Sequence, residues 1–403
     1  MTAIDGRAPL LLDDLFAGRA RQPRPTDDWG NEDENAISLS YGFADPDHFP
    51  RRALHEASGE VLYEDGAEAL NYGPTYPGLT RFVAQRLAAR GVTAGPGQIL
   101  ITHGSSQALG LLPQILVEPG DTVLIEGPSF MGAVKYFLAA RANLVTIPID
   151  EHGIDVDHLE QTLRDLRATN IRPKFLYTIP TFQNPTGTLL PLERRKKLVA
   201  LAAEYGVVVI EDDAYGDLQF EGEALPKLAA LDEEGWVVHV ATFSKILAPG
   251  IRFGYAYGRP EIIQRMQLFK IEGGNGPYMS RVVERFCADG KLDAHIAELV
   301  ALYRRKRDLM LDTIAREFPS DVIVPKPAGG FFVWPTLPQG MSATALLKRA
   351  AAHGVAFVPG GDFYANGQGD NHIRLAFSFQ NEAHIVEGIR RVGTAMRELE
   401  TGA

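Results

Sequence analysis

One lysine, Lys245, stands in the stretch TFSKILAPGIRFGY among Thr, Phe, Ile, Leu and Ala, directly after the apolar run WVVHVA. A solvated surface lysine fits those flanks poorly. Desolvation disfavours the ammonium form, so a lysine buried there has a lowered pKa and a nucleophilic amine. Other reactive types stand at comparable places. After GVVVI come Glu211, Asp212, Asp213, Ala214 and Tyr215, three carboxylates closing a run that reads as buried. A single acid there would be an ordinary cap, whereas a cluster of three points to a functional one among them. After QILITHG come Ser105, Ser106 and Gln107, followed by the helical pattern ALGLLPQIL. Free N–H groups and hydroxyls at a helix start suit a phosphate, with a plain N-cap as the alternative. After KFLYTIP comes TFQNPTGT, where Asn184-Pro185 and Gly187 demand a turn. Arg252 closes the set, in the same stretch as Lys245.

A phosphate site, an acid, an asparagine and a lysine amine together fit pyridoxal phosphate. The lysine forms the Schiff base, the acid keeps the pyridine nitrogen protonated, and the protonated ring accepts the electrons of a Cα carbanion. No Walker loop or GxGxxG fingerprint follows a strand, and no CxxC or HExxH pattern suggests a metal site.

The elements that must position these groups are strand ends. From about residue 98 to 258, Val- and Ile-rich runs alternate with helical patterns, as parallel βα units do. QILITHG, TVLIEGP, KFLYTIP, GVVVIEDD, WVVHVATF and FGYAYG read as strands. ERRKKLVALAAEYG starts after Pro191, keeps Leu198, Val199, Leu201 and Ala202 on one stripe, and ends at Gly206, as an amphipathic helix should. Ligands of open α/β sheets bind beyond the carboxyl ends of strands, which is where the reactive residues fall. Beyond Lys270 come a long charged helix, HIAELVALYRRKRDLMLDTIAREF, then FFVWPTL, a helix from Ala343, AFVPG and HIRLAFSF, an α+β pattern. The 403 residues therefore predict a large α/β domain and a smaller α+β domain, after roughly 35 polar and irregular residues.

Composition sets the boundaries. The one cysteine, Cys287, excludes an intrachain disulfide and fits a reducing compartment. The opening MTAIDGRAPLLLDDLF is broken by Asp13 and Asp14, too early for a signal segment, and nowhere do eighteen apolar residues follow one another. A soluble, cytoplasmic protein without a membrane role is expected. The net charge of −11 argues against a nucleic-acid partner.

The ordered series YGFADPDHFP, NYGPTYPGLTRF, GSSQAL, EGPSF, PTFQNPTG, EDDAYGDL, TFSKILAPGIRFG, PAGGFFVW, VPGGDF and HIRLAFS spans nearly the whole chain. It resembles the fold-type I, pyridoxal-phosphate-dependent aminotransferases of class I/II, in the branch of kynurenine and 2-aminoadipate aminotransferases. The resemblance implies a large cofactor-binding domain with a mostly parallel mixed sheet over 61–285. It implies a small domain over 286–403, to which residues 1–60 contribute together with a substrate lid. It makes Lys245 the Schiff-base lysine and proton shuttle, Asp212 the partner of the pyridine nitrogen, and Asn184 and Tyr215 the donors to the ring's phenolate oxygen. Ser105, Ser106, Thr242 and Arg252 match the phosphate cup, although relatives often carry Gln in place of Ser106. Phe130 matches the aromatic stacked on the ring, where the nearest relatives often have Tyr. Tyr72 matches a tyrosine that reaches the phosphate from the partner subunit of a homodimer. Arg374 matches the clamp on the substrate α-carboxylate, with Gly42 and Asn184 beside it, and the GGFF segment Gly329 to Phe332 resembles a strand near the substrate.

Two regions depart from or extend the pattern. IEGGNGPYMS is richer in glycine than the corresponding segment of better-known relatives, and Gly273, Gly274 and Gly276 give it unusual freedom, with no role assigned to Asn275. Residues 10–40 match a lid that reads the substrate side chain, where Arg19, Arg21 and Arg24 read more readily as solvated charges than as partners of a distal carboxylate. The implied reaction is transfer of the amino group of an aromatic, branched-chain or 2-aminoadipate-type amino acid to a 2-oxo acid such as 2-oxoglutarate, in two half-reactions. A β-lyase, decarboxylase or oxidative deaminase would use the same carbanion, so these alternatives stay open. Regulators of the MocR type carry a similar domain behind a DNA-binding module, which is not expected here, because YGFADPDHFP is reached at Tyr41.

Overall fold

The computed structural model describes Phe16 and residues 36–73, 75–365 and 367–401; the arginines considered for a lid, Arg19, Arg21 and Arg24, lie outside them. Its strands are β1 (Ile37–Ser38), β2 (Ile99–Thr102), β3 (Thr122–Gly127), β4 (Asn143–Asp150), β5 (Gly153–Ile154), β6 (Phe175–Thr178) and β7 (Val208–Asp213). After these come β8 (Val237–Thr242), β9 (Gly254–Tyr257), β10 (Phe332–Val333), β11 (Val355–Ala356), β12 (Val358–Pro359) and β13 (Ile373–Ala376).

Eight of them form one sheet in the order β2-β9-β8-β7-β6-β3-β4-β5. β8, β7, β6, β3 and β4 are parallel, whereas β9 runs against both of its neighbours and β5 runs against β4. The reversed β9 has a direct consequence for chemistry. Thr242, the last residue of β8, is in register with Gly254, the first of β9, so the connection carrying Lys245 and Arg252 sits at the carboxyl edge of the parallel strands.

All six strands read from the sequence are present. β4, NLVTIPID, was not among them: only Ile147 in it is fully buried, so it lacks the continuous apolar run that marks a strand covered on both faces. The helix after Pro191 spans Leu192–Tyr205 and stops at Gly206, whose φ of 64° and ψ of 42° suit the left-handed position that ends a helix. Alternation divides the sheet between two cores. Leu124, Leu176 and Val209 face one, while Ile125, Tyr177, Ile210 and Val240 face the other.

The C-terminal part is built on the helix Lys291–Glu317, packed against Glu382–Thr401, and on the β10-β13-β12 sheet. The start of the described chain is stitched into it. β1 pairs in parallel with β11, Leu39 accepts from the Ala376 amide at 2.8 Å, and the buried Lys306 donates to Asp45 Oδ2 at 2.6 Å. Among the described residues no helix is long and apolar enough to cross a membrane.

Candidate active site

Period-2 alternation separates the three carboxylates at the end of β7. Glu211 and Asp213 fall on one face and Asp212 on the other, all buried. Asp212 Oδ2 accepts the Tyr177 hydroxyl at 2.8 Å, while its Oδ1 is buried with no hydrogen-bond partner. Burial, only partly offset by the Tyr177 bond, lifts this carboxyl to a pKa of about 6. A buried acceptor left open in this way calls for a donor that the chain does not supply.

Lys245 follows the end of β8. The residue keeps some exposure, yet enough protein encloses it that desolvation, assisted by the Arg374 charge, lowers its pKa to about 8. Nζ donates to the Gly42 carbonyl at 2.8 Å and lies 5.6 Å from the centre of the Phe331 ring and 5.9 Å from that of Tyr215. Gly42 has to be glycine, since a Cβ there would stand 2.5 Å from Cζ of Phe332.

The helix Ser105–Leu116 begins beside the β8–β9 connection. Its N-cap is Gly104 at φ 72°, and neither Ser105 nor Ser106 caps the helix with its side chain, so the plain N-cap alternative does not hold. The exposed Arg252 adopts φ 58° and ψ 50°, a conformation uncommon outside glycine, and so brings its guanidinium against Gly104, donating to the His103 carbonyl at 3.3 Å. Thr242 Oγ1 donates to Ser244 Oγ at 2.9 Å and in turn accepts from the Ser244 amide. Free amides at a helix start, serine hydroxyls and an arginine make a competent anion cup. Ser244, which the sequence reading passed over, is the residue that holds the Thr242 hydroxyl. Beside the cup, the glycine-rich segment carries Asn275, buried, accepting from the buried Lys270 at 3.0 Å and facing His103 Nδ1 at 3.4 Å. Its partners are side chains of this chain.

Arg374, on β13, lies between two rings, 4.4 Å from the Phe332 centroid and 4.9 Å from that of Phe363. Its Nη1 donates to Asn184 Oδ1 at 3.1 Å and its Nη2 to the Ser40 carbonyl at 2.5 Å, while Nε is buried and unpartnered. Desolvation lowers its pKa to about 10, so it stays charged at neutral pH. A guanidinium stacked between rings, with donors to spare, can take a carboxylate with paired hydrogen bonds. Because Asn184 uses Oδ1 for Arg374, its Nδ2 is left as a donor. Burial pushes the Tyr215 phenol well up, so it too is a neutral donor, set edge-on to Phe331 and Phe332. Phe130 is half-buried at the start of the helix Met131–Ala139. Tyr72 is fully exposed, with a relative accessibility of 103%, and makes no side-chain hydrogen bond within its own chain among the described residues.

The family model described as aminotransferase class I and II matches residues 35–392. The chain belongs to this family. It is 40% identical to the 2-aminoadipate transaminase of Thermus thermophilus over 90% of each chain. It is 37% identical to aromatic-amino-acid aminotransferase 1 of Thermococcus litoralis, over 91% of this chain and 89% of the relative. The crystal structure of Pyrococcus horikoshii kynurenine aminotransferase, solved with PMP, superposes with a TM-score of 0.91 at 35% identity and covers 96% of this chain and 98% of its own. The protein is thus a pyridoxal-phosphate-dependent aminotransferase of fold type I, acting on amino acids. The residues present fit that cofactor: the open Oδ1 of buried Asp212 suits a pyridinium N–H, and the cup at Ser105 suits a phosphate.

Proposed function

We propose that this aminotransferase moves the amino group of an L-α-amino acid with an aromatic, branched-chain or 2-aminoadipate-type side chain to a 2-oxo acid, with 2-oxoglutarate as acceptor, in two half-reactions. The observation that carries the site assignment is the unpartnered, buried Oδ1 of Asp212 within electrostatic reach of Lys245, itself in the field of Arg374. When bound, the cofactor supplies the electron sink for the substrate Cα. In this reading Asp212 neutralises the ring nitrogen, and Asn184 Nδ2 and Tyr215 donate to the ring oxygen. Phe130 stacks on the ring, and Ser105, Ser106, Thr242 and Arg252 hold the phosphate. Arg374, with Gly42 and Asn184, clamps the α-carboxylate and turns the Cα–H toward Lys245. Freed from the cofactor, Lys245 Nζ would take the proton from the substrate Cα and return it to the cofactor carbon on the other side of the shared nitrogen, a task suited to an amine with a pKa of about 8. The names of the relatives, which act on aromatic amino acids and 2-aminoadipate, support the substrate class.

The same reading places the protein in the cytoplasm as a homodimer in which Tyr72 completes the neighbouring site. Leu62, Tyr63, Leu70 and Tyr72, together with Leu268 and Ile271, form exposed apolar stretches that support a second copy as their cover. The pairing of β1 with β11 supports a small domain built from residues 1–60 and 286–403 around a large domain at 61–285.

The decisive test is a half-reaction. Adding L-glutamate to the holoenzyme converts the bound cofactor to its pyridoxamine form, seen by absorbance, and a panel of donors then ranks the side chains. A spectrum unchanged by every amino acid in the panel refutes the assignment of these residues to transamination.

A further inference from the structure

A carboxylate that serves a ring nitrogen must present one oxygen and keep the other occupied, or it rotates away. In this chain the occupied oxygen is Asp212 Oδ2, and its partner is the Tyr177 hydroxyl, 2.8 Å away. Tyr177 comes from β6, in register with Ile210 of β7, two residues before Asp212 and on the same face. Its ring is fully buried and held edge-on by Phe137 at 5.5 Å, and Phe137 is held in turn by Phe175 at 4.9 Å. The phenol has no room to swing. Burial, and then the Asp212 charge, push its pKa well above the ordinary tyrosine range, so the oxygen keeps the proton it donates to Asp212.

The titratable and charged groups around Asp212 come from several elements: Asp213 on its own strand, Tyr177 on β6, His239 on β8, Lys245 beyond β8, Glu126 at the end of β3, and Tyr215. Of these, only Tyr177 reaches Asp212 with a hydrogen bond. The remaining oxygen, Oδ1, is sealed from solvent and has no hydrogen-bond partner.

We propose that Tyr177 is a positioning residue for the cofactor: its hydroxyl locks the Asp212 carboxylate so that Oδ1 is the oxygen turned to the pyridine nitrogen. The inference rests on the reading of Asp212 given above. It adds a residue that touches neither cofactor nor substrate and acts through Asp212 alone.

The test replaces Tyr177 in the full chain and reads both cofactor affinity and catalysis. Tyr177→Phe removes one oxygen and leaves the packing against Phe137 intact. A hydrogen bond to a charged group is worth enough to predict a roughly tenfold weaker dissociation constant for pyridoxal phosphate at pH 8. The pH below which affinity falls moves upward, because Asp212 loses the bond that favours its ionised form. kcat drops, while KM for the amino donor stays within about twofold, because Arg374 is untouched. With Asp212→Asn already in place, adding Tyr177→Phe changes neither quantity further. 3-Fluorotyrosine at position 177, a stronger donor of nearly the same shape, moves the pH threshold the opposite way and keeps the test valid if the phenylalanine variant fails to fold. The proposal is overturned if Tyr177→Phe weakens cofactor binding equally in the Asp212→Asn background, or if 3-fluorotyrosine leaves the threshold in place. An Asp212→Asn enzyme with normal cofactor affinity would instead overturn the reading of Asp212 itself.

Discussion

On one face of β7, Glu211 and Asp213 have both of their oxygens occupied; on the other face, one residue away, Asp212 does not. Glu211 accepts the amides of Leu228 at 2.6 Å and Ala229 at 3.1 Å as well as His239 Nδ1 at 2.9 Å. Asp213 meets Lys227 Nζ through both oxygens, at 2.8 and 2.7 Å. Burial is the largest influence and opposes ionisation in both residues, yet the bond and charge of His239 with the Lys227 charge for Glu211, and the charge and bond of Lys227 with the charges of His239 and Arg90 for Asp213, together hold them below the usual carboxylate range. His239 Nε2 is buried without a hydrogen-bond partner, 3.9 Å from Asp213 Oδ2. On the opposite face burial wins, Asp212 rises to about 6, and Oδ1 stays open. The carboxylate group, the strand and the burial are shared, and the supply of partners differs. The partners on the closed face tie β7 to β8 and to the helix Leu228–Leu231, while Oδ1 on the open face is left without one.

Breaking the closed face should affect stability first. Lys227→Met leaves Asp213 as an uncompensated buried charge, for which a loss of about 3–5 kcal/mol is expected in urea denaturation, with activity per folded molecule nearly unchanged. Breaking the open face should do the reverse. Asp212→Asn lowers kcat by about 10²–10³-fold, the scale of one lost electrostatic contact to a reacting group, while the apo chain melts no earlier than the wild type. A result in which both variants lose stability alike would erase the distinction between the faces. Arg374→Lys sharpens the comparison further, because lysine cannot repeat the paired bonds or the stack on Phe332 and Phe363; KM for the amino donor rises about tenfold or more while cofactor affinity holds.

The smallest effect is a pH dependence. Below a pH of about 6 Asp212 is neutral and cannot balance a pyridinium, so cofactor affinity falls on the acid side. Below about 8 Lys245 is protonated, so the rate at which the apo chain captures the cofactor falls tenfold per pH unit there. Lys245 is depressed from 10.5, so between about 8 and 10.5 the unfolded chain binds the additional proton and apo stability climbs with pH. Lys245→Met should flatten that rise, which urea midpoints across the window will report.

Much of this was legible in the sequence because the chemistry sits where apolar runs stop. GVVVI, WVVHVA and KFLYTIP end two, four and four residues before Asp212, Lys245 and Asn184, and alternation within EDD places Asp212 apart from its neighbours. What stayed hidden depends on register between strands. Tyr177 reads as one more residue of a buried strand until β6 and β7 are aligned, although a phenol inside an apolar run always needs a partner for its hydroxyl. Ser244 and the Lys270–Asn275 pair are equally silent in one dimension, since each gains meaning from a loop that returns to the cup. β4 escaped because half-exposed residues break its apolar run.

The central claim is that the open face of β7 and the lysine beyond β8 share one cofactor. Borohydride reduction of the enzyme loaded with pyridoxal phosphate, followed by peptide mass mapping, tests it most directly. A single phosphopyridoxyl mass on the peptide containing Lys245 is the expected result. The label on any other lysine, or none on Lys245, would contradict it.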